Sequence, residues 1–273
     1  DWYWDMGGEE GPFLQRALEE GFLRAPNRER LKFGLMWANH NRLSAERFEA
    51  MTDYAIGAYF GQPNYWRIDG KPLFSVYEMH TLIDGLGGIE ATRDALERFR
   101  RKTVEAGYPG LHLDAIEWGI QERNLTSYGV TPEQLVRMLG VDSVNSYVWA
   151  HNCLPDSFPA ASYDECADSA ARLWEDLRSK FPVPYYPNVS MGWDPSPRTD
   201  QTKELTQGEY PYTSILVGNT PDSFERSLAE AKRFVERHYG EGGSSDAGNG
   251  MPRIVSVYAW NEWTEGSYLE PDT

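Results

Sequence analysis

Seven short runs rich in β-branched and aromatic residues recur along this chain, at 1–5, 31–40, 72–77, 111–117, 143–149, 184–193 and 253–263. Between them lie longer stretches with helical apolar spacing. The clearest is 89–106, with Ile89, Leu96, Phe99 and Val104, followed by 163–181 and 223–239. Helix starts are marked at Thr131-Pro132-Glu133 and Thr220-Pro221-Asp222, each a capping residue before a first-turn proline and an acid. Alternation of this kind is the pattern of repeated βα units around a parallel sheet. It occurs here without any repeat of sequence. A (β/α)8 TIM barrel closes with eight strands and uses about 250 residues, so seven strands in 273 residues imply one missing unit. The expectation is a single α/β barrel domain over 1–273, a fragment lacking the first βα unit and the closing helix. The competing open, doubly wound sheet lacks support, because no Gly-x-Gly-x-x-Gly turn follows a strand. The glycine-rich stretch 240–250 reads as a flexible surface loop on the face away from the chemistry.

Charge narrows the partners. Twenty-six basic against 42 acidic residues leave a net −16, a field that repels nucleic acid and anionic membrane surfaces. No run approaches the roughly 20 apolar residues of a spanning helix, so membrane insertion is not expected. Cys153 and Cys166 are too few for a disulfide framework or a zinc cluster. There is no His-Glu-x-x-His, no Gly-x-Ser-x-Gly, no phosphate-cradling Gly-x-x-x-x-Gly-Lys and no Cys-x-x-Cys, so no spacing calls for a metal or a cofactor. Ten Trp and sixteen Tyr against eleven Phe give most aromatic side chains a polar handle. That suits either a sugar-stacking cleft or a large core whose N–H and O–H groups are satisfied.

In a parallel barrel the chemistry sits where strands end. Those ends carry Trp2-Tyr3-Trp4-Asp5, Trp37-Ala38-Asn39-His40, Tyr77-Glu78, Glu117-Trp118, Tyr147 with Trp149 and His151, Gly192-Trp193-Asp194, and Trp260-Asn261-Glu262-Trp263-Thr264-Glu265. Glu262 and Glu265 stand three apart, so a helical turn would put both carboxylates on one face. Glycosidic bond cleavage needs such a pair, one protonated to assist the leaving oxygen and one ionised.

The segment 259–272, Ala-Trp-Asn-Glu-Trp-Thr-Glu-Gly-Ser-Tyr-Leu-Glu-Pro-Asp, resembles the signature of the WbsX-like domain, a relative of glycoside hydrolase family 99. Phe-Gly-Leu-Met-Trp-Ala-Asn-His at 33–40, Asp-Gly-Lys-Pro-Leu-Phe-Ser-Val-Tyr at 69–77 and Asn-Val-Ser-Met-Gly-Trp-Asp-Pro-Ser-Pro-Arg at 188–198 match in the same order. The resemblance implies a (β/α)8 fold with one further βα unit in front, and retaining hydrolysis of α-mannoside-like linkages. It implies that Glu262 deprotonates the sugar 2-hydroxyl, which attacks the anomeric carbon to give a 1,2-anhydro intermediate. Glu265 would then be the general acid and afterwards the base. Thr264 stands where family 99 usually carries His, which places the chain nearer the WbsX-like branch.

The substrate subsites are expected from Trp2, Trp4, Trp37, Tyr77, Trp149, Trp193 and Trp263. Asn39, Asn261, His40, Glu117 and Asp194 are the expected polar partners. Asp114 and Glu117 point to opposite faces of one strand, and Glu117, beside Trp118, is preferred. Asp194 also suits a turn, and Arg198 reads as an orienting cation or a surface ion pair. The expected activity is that of a bacterial glycoside hydrolase acting on a polysaccharide or oligosaccharide. The rivals are a glycosyltransferase of surface polysaccharide or lipopolysaccharide biosynthesis, and a non-catalytic carbohydrate-binding barrel. A hydrolase would work outside the cytoplasm and a transferase inside it.

Overall fold

The structure, a computed structural model, describes residues 1–8, 10–240 and 251–271. The expected loop beyond Gly240 and Asp272 of the final motif lie outside the described residues. The chain divides into two compact units, Asp1–Val144 with Phe181–Pro184, and Asn145–Lys180 with the described residues from Tyr185 onward.

In the first unit the strand Lys71–Val76 pairs in parallel with Leu35–Trp37 on one side and His112–Ile116 on the other. The register sets Leu35 against Phe74, and Phe74 against Leu113. Ala45–Ala55, Met79–Leu86, Ile89–Glu105 and Pro132–Leu139 are helices. Ser44 caps the first of these through Arg47 N–H, and Thr131 with Gln134 forms a reciprocal capping box on the last. Phe48, Phe60, Phe74 and Phe99 meet edge-on or stacked with centroids 5.2 to 6.3 Å apart, giving the sheet a dry face against its helices. The first run departs from expectation. Only Trp2 bridges in parallel, to Trp37, while Tyr3–Trp4 turns back antiparallel onto Pro12–Phe13. Gly7, Gly8 and Gly11, all at positive φ, permit that reversal.

In the second unit Asn188–Ser190 pairs in parallel with Ser256–Tyr258. A second parallel pair, Ala160–Ser162 with Ile215–Val217, was not anticipated, because three-residue strands are too short to show alternation. The helices Tyr163–Lys180 and Pro221–Tyr239 fall where the apolar spacing puts them, and Thr220 caps the latter through Ser223 N–H. Trp174 and Tyr185 pack on Phe234. The last expected strand is interrupted. After Tyr258 the chain forms a hairpin, Asn261–Glu262 against Ser267–Tyr268, with the 3-10 turn Trp263–Glu265 at its tip. Among the described residues the strands form separate ladders and no closed barrel.

Candidate functional site

The Glu-x-x-Glu segment is the tip of that hairpin. In a 3-10 turn residues three apart eclipse one another, so Glu262 and Glu265 lie on one side, and a single guanidinium bridges them. Arg198 Nη2 donates to Glu262 Oε1 at 2.7 Å and Nη1 to Glu265 Oε1 at 2.8 Å, while Nε donates to Thr264 Oγ1 at 2.7 Å. The Thr264 hydroxyl donates in turn to Glu262 Oε1 at 3.1 Å. Arg198 is therefore an orienting cation whose fork spans both carboxylates, a geometry lysine does not offer.

The two glutamates differ in setting. Glu265 is buried, 6% exposed, and Glu262 is half-buried. Glu265 Oε1 also accepts from Tyr210 Oη at 2.7 Å, and its Oε2 from the Tyr258 hydroxyl. Burial, then donation to Glu265, pushes the Tyr210 phenol up to about 12. Burial pushes Tyr258 further still, with the Glu265 charge acting the same way. Both phenols therefore stay protonated as donors across the ordinary pH range.

Two motifs far apart in sequence are laced at this point. Asp194 N–H donates to Glu265 O at 2.6 Å, and the Ser267 hydroxyl donates to Gly192 O. Gly266 takes φ +59°, and a Cβ there would sit 2.7 Å from Asp194 Cβ. A Cβ on Gly192 would sit 2.9 Å from the backbone oxygen of Gly266. Both glycines are thus required by close approach. Asp194 accepts from Ser196 N–H at 3.0 Å through Oδ1, the local bond expected of a turn aspartate. That bond sets up the 3-10 turn Ser196–Arg198, which delivers Arg198.

Beside the hairpin tip lies a cavity of about 330 Å3, lined among others by Trp193, Asp194, Asn219, Trp263 and Tyr268. Trp263 is 41% exposed and stacks on Tyr268, centroids 3.8 Å apart and planes at 22°. Asn261 is exposed on the same hairpin, as is Trp260.

Several expected subsite residues are spent on packing instead. Trp2, Trp4, Trp37 and Trp149 are buried, as is Tyr77. Trp2 meets Tyr59 and Phe74 edge-on, and Trp37 tilts against Phe48. Trp149 packs on Tyr163 and donates to Asn188 O. With 0 to 4% exposure the four indoles present no open face for a sugar ring; Trp2 Nε1 donates to Tyr59 Oη and Trp149 Nε1 to Asn188 O, while Trp37 Nε1 is buried with no hydrogen-bond partner. Asn39 is fully buried, its amide bonded to Glu78 O and Glu78 N, both at 2.7 Å. It is a backbone clamp, and at 0% exposure it presents no amide to a ligand. Glu117 is buried in the 3-10 turn Glu117–Ile120 and accepts from Gln121 at 3.1 Å. Trp193 is also buried, its Nε1 donating to Thr213 Oγ1 at 2.9 Å, but it lines the cavity.

Among the described residues of the first unit a polar cluster lies at the strand ends. His40 Nδ1 lies 3.8 Å from Glu78 Oε1, edge-on to Tyr77, and the Thr81 hydroxyl donates to Glu78 at 2.7 Å. Burial raises the Glu78 carboxyl, but the bonds from His40 and Thr81 outweigh it and hold the group below its ordinary value. Asp114 is buried and accepts from the Ser75 and Ser143 hydroxyls. Among the described residues no group of His, Cys, Asp and Glu is arranged to hold a metal ion, and no helix is long and apolar enough to cross a membrane.

The WbsX glycosyltransferase family matches residues 42–273. Two curated relatives, uncharacterized proteins WxcX from two strains of Xanthomonas campestris pv. campestris, are 26% identical over 265 and 261 residues. The alignments cover 89% of this chain and 32% of each relative, so the chain spans about a third of their length. Two structures of the GH99 endo-alpha-mannosidase from Bacteroides thetaiotaomicron, one with bis-tris-propane bound, superpose with TM-scores of 0.55 and 0.54 at 14% identity. They are matched over 95% and 98% of this chain and 66% and 64% of theirs. At that identity the likeness speaks for the fold, an α/β architecture of the barrel class that the strand and helix alternation implies. With the family matched over most of its length, hairpin included, the chain belongs to the WbsX glycosyltransferase family.

Proposed function

We propose that this chain is the catalytic part of a carbohydrate-active enzyme, a retaining glycoside hydrolase cutting α-mannoside-like or related linkages in a polysaccharide. Glu262 is the base and Glu265 the acid and then the base. The observation that carries the reading is that both carboxylates converge on Arg198 from one side of one turn.

The roles follow the two environments. Glu262, the more open, takes the proton of the sugar 2-hydroxyl, and that oxygen attacks the anomeric carbon. The glycosidic bond breaks as the leaving oxygen takes a proton from Glu265. In the second half Glu265 removes a proton from water, the water oxygen opens the anhydro sugar, and Glu262 returns its proton to O2. Glu265 must hold and release a proton while buried. Its Tyr210 and Tyr258 contacts suit both states, because a hydroxyl can donate to a carboxylate or accept from a carboxylic acid. Arg198 fixes the spacing of the pair throughout.

The test is a polysaccharide panel incubated with the full-length protein, reading new reducing ends, against Glu265→Gln. Release by wild type, lowered at least a hundredfold in the variant, is the expected result. Full activity in Glu265→Gln overturns the assignment of that residue. Free nucleotide released from a sugar-nucleotide donor, with no reducing ends from any glycan, overturns the hydrolase in favour of a transferase.

A further inference from the structure

We propose that Thr264 is a positioning residue for the base: its hydroxyl and Arg198 together occupy Oε1 of Glu262 and leave Oε2 as the oxygen that takes the sugar proton. The inference rests on the hydrolase reading for the reaction it serves, but its hydrogen-bond geometry stands without that reading.

A threonine hydroxyl has one proton to give, and the bond it accepts decides where that proton points. Arg198 Nε, a donor only, meets Thr264 Oγ1 at 2.7 Å. The oxygen therefore turns a lone pair to the guanidinium, and its proton goes to Glu262 Oε1 at 3.1 Å. Arg198 Nη2 donates to the same Oε1 at 2.7 Å. Guanidinium, hydroxyl and carboxylate thus close a ring on one oxygen. The turn keeps that ring tight, because Glu262 caps the 3-10 turn Trp263–Glu265 and Thr264 is its middle residue.

Two donors fill the lone pairs of Oε1. Among the described residues no donor meets Oε2, and the side chain stays 31% exposed. A proton placed on Oε1 would break both bonds and face two donor hydrogens. On Oε2 it breaks neither. Glu262 can therefore pass from carboxylate to acid and back without moving, which suits a group that takes a proton from O2 and later returns it. Glu265 repeats the asymmetry. Its Oε1 accepts from Arg198 Nη1 at 2.8 Å and from Tyr210 Oη at 2.7 Å, and its Oε2 from the Tyr258 hydroxyl alone.

Thr264 is exposed, so packing does not explain its place in the ring. Valine has the same shape but neither accepts nor donates. In Thr264→Val the Arg198 Nε–H loses its acceptor, and Oε1 regains a lone pair that competes for the proton.

The experiment compares Thr264→Val with Thr264→Ser in the full-length protein by two readouts. The first is hydrogen exchange at Arg198 Nε, followed by NMR with isotope-labelled arginine, the resonance being assigned by its loss in Arg198→Lys. Exchange is expected to quicken about tenfold in Thr264→Val, the scale of one lost hydrogen bond. It should match wild type in Thr264→Ser, and in Glu262→Gln, whose carbonyl oxygen replaces Oε1. The second readout is the initial rate of reducing-end release from α-mannan. Thr264→Val is expected to lower kcat about tenfold with KM unchanged, and Thr264→Ser to restore kcat. Unchanged exchange in Thr264→Val overturns the ring. An unchanged kcat in Thr264→Val, or one that serine does not restore, overturns the positioning role. If wild type releases no reducing ends from α-mannan, the hydrolase reading falls for that linkage, and exchange at Arg198 Nε alone decides whether Thr264 directs Glu262.

Discussion

Arg198 Nη1 donates to Glu265 Oε1 at 2.8 Å, joining residues 67 apart in sequence through one of three bonds that the same guanidinium makes to the hairpin. The bond depends on a chain of local causes. Asp194 turns the backbone into the Ser196–Arg198 turn, and Asp194 N–H on Glu265 O holds that turn against the hairpin. Removing the cation leaves a buried carboxylate facing only phenols. Arg198→Ala is therefore expected to lower stability by about 1 to 2 kcal/mol, less than a fully buried pair would lose because Arg198 is 38% exposed. Turnover should fall at least tenfold. Arg198→Lys should recover the stability more than the turnover, because an ammonium cannot span two carboxylates. Thermal melts and initial rates on the same preparations test the split.

Tyr258 is the last residue of its strand and its hydroxyl reaches Glu265 Oε2. Tyr258→Phe removes that donor without changing the ring. It is expected to lower kcat by about one to two orders of magnitude, the scale of one lost positioning hydrogen bond in an active site, with KM little altered. A matching loss in kcat and a rise in KM of equal size would mean that the phenol serves binding instead.

Gly266→Ala tests the lacing of the two motifs. The added Cβ meets Asp194 Cβ at 2.7 Å in a left-handed conformation, so relief requires the hairpin tip and the Asp194 turn to part. A loss of roughly 2 kcal/mol or more is expected in denaturant titration. Activity should fall at temperatures where the variant is still folded, since Glu265 is the adjoining residue.

Glu49 is one source of acid sensitivity. Burial raises its carboxyl, but the bonds from Lys102 at 2.5 Å and Arg98 at 2.6 Å outweigh burial and hold it below its ordinary 4.5. A group depressed in the folded state contributes stability above the unfolded value and loses it as pH falls through the folded one. The loss therefore begins near pH 4.5 and completes below it. Lys102→Met is expected to lower stability at pH 7 by about 1 kcal/mol and to reduce the further loss on going to about pH 3. Melting curves at the two pH values measure both.

Much of the fold is local, and was legible as such. The helix starts at Thr131 and Thr220 are set by a capping oxygen, a proline and an acid within four residues, and Phe99 and Leu96 face the core because of their spacing. The same locality explains why Glu262 and Glu265 meet one guanidinium, since any tight turn brings positions three apart together. What local pattern cannot carry is burial. Trp37 and Trp263 both stand two residues from an asparagine near a strand end in sequence, yet one is fully buried against Phe48 and the other 41% exposed on Tyr268. Strand ends rich in Trp and Tyr look the same whether the rings face a sugar or a helix. The strands Ala160–Ser162 and Ile215–Val217 were invisible for a related reason, as each is defined by its partner and not by its own three residues.

By itself the sequence determined the class of fold, the sites where helices begin, and a carboxylate pair on one turn, because these depend on contacts within a few residues. Only the tertiary structure decided that Arg198 bridges that pair, that Asn39 clamps Glu78, and which indoles remain open. Each of these depends on groups brought together from dozens of residues apart, where side-chain packing and hydrogen-bond satisfaction select one arrangement out of many that the same local patterns allow.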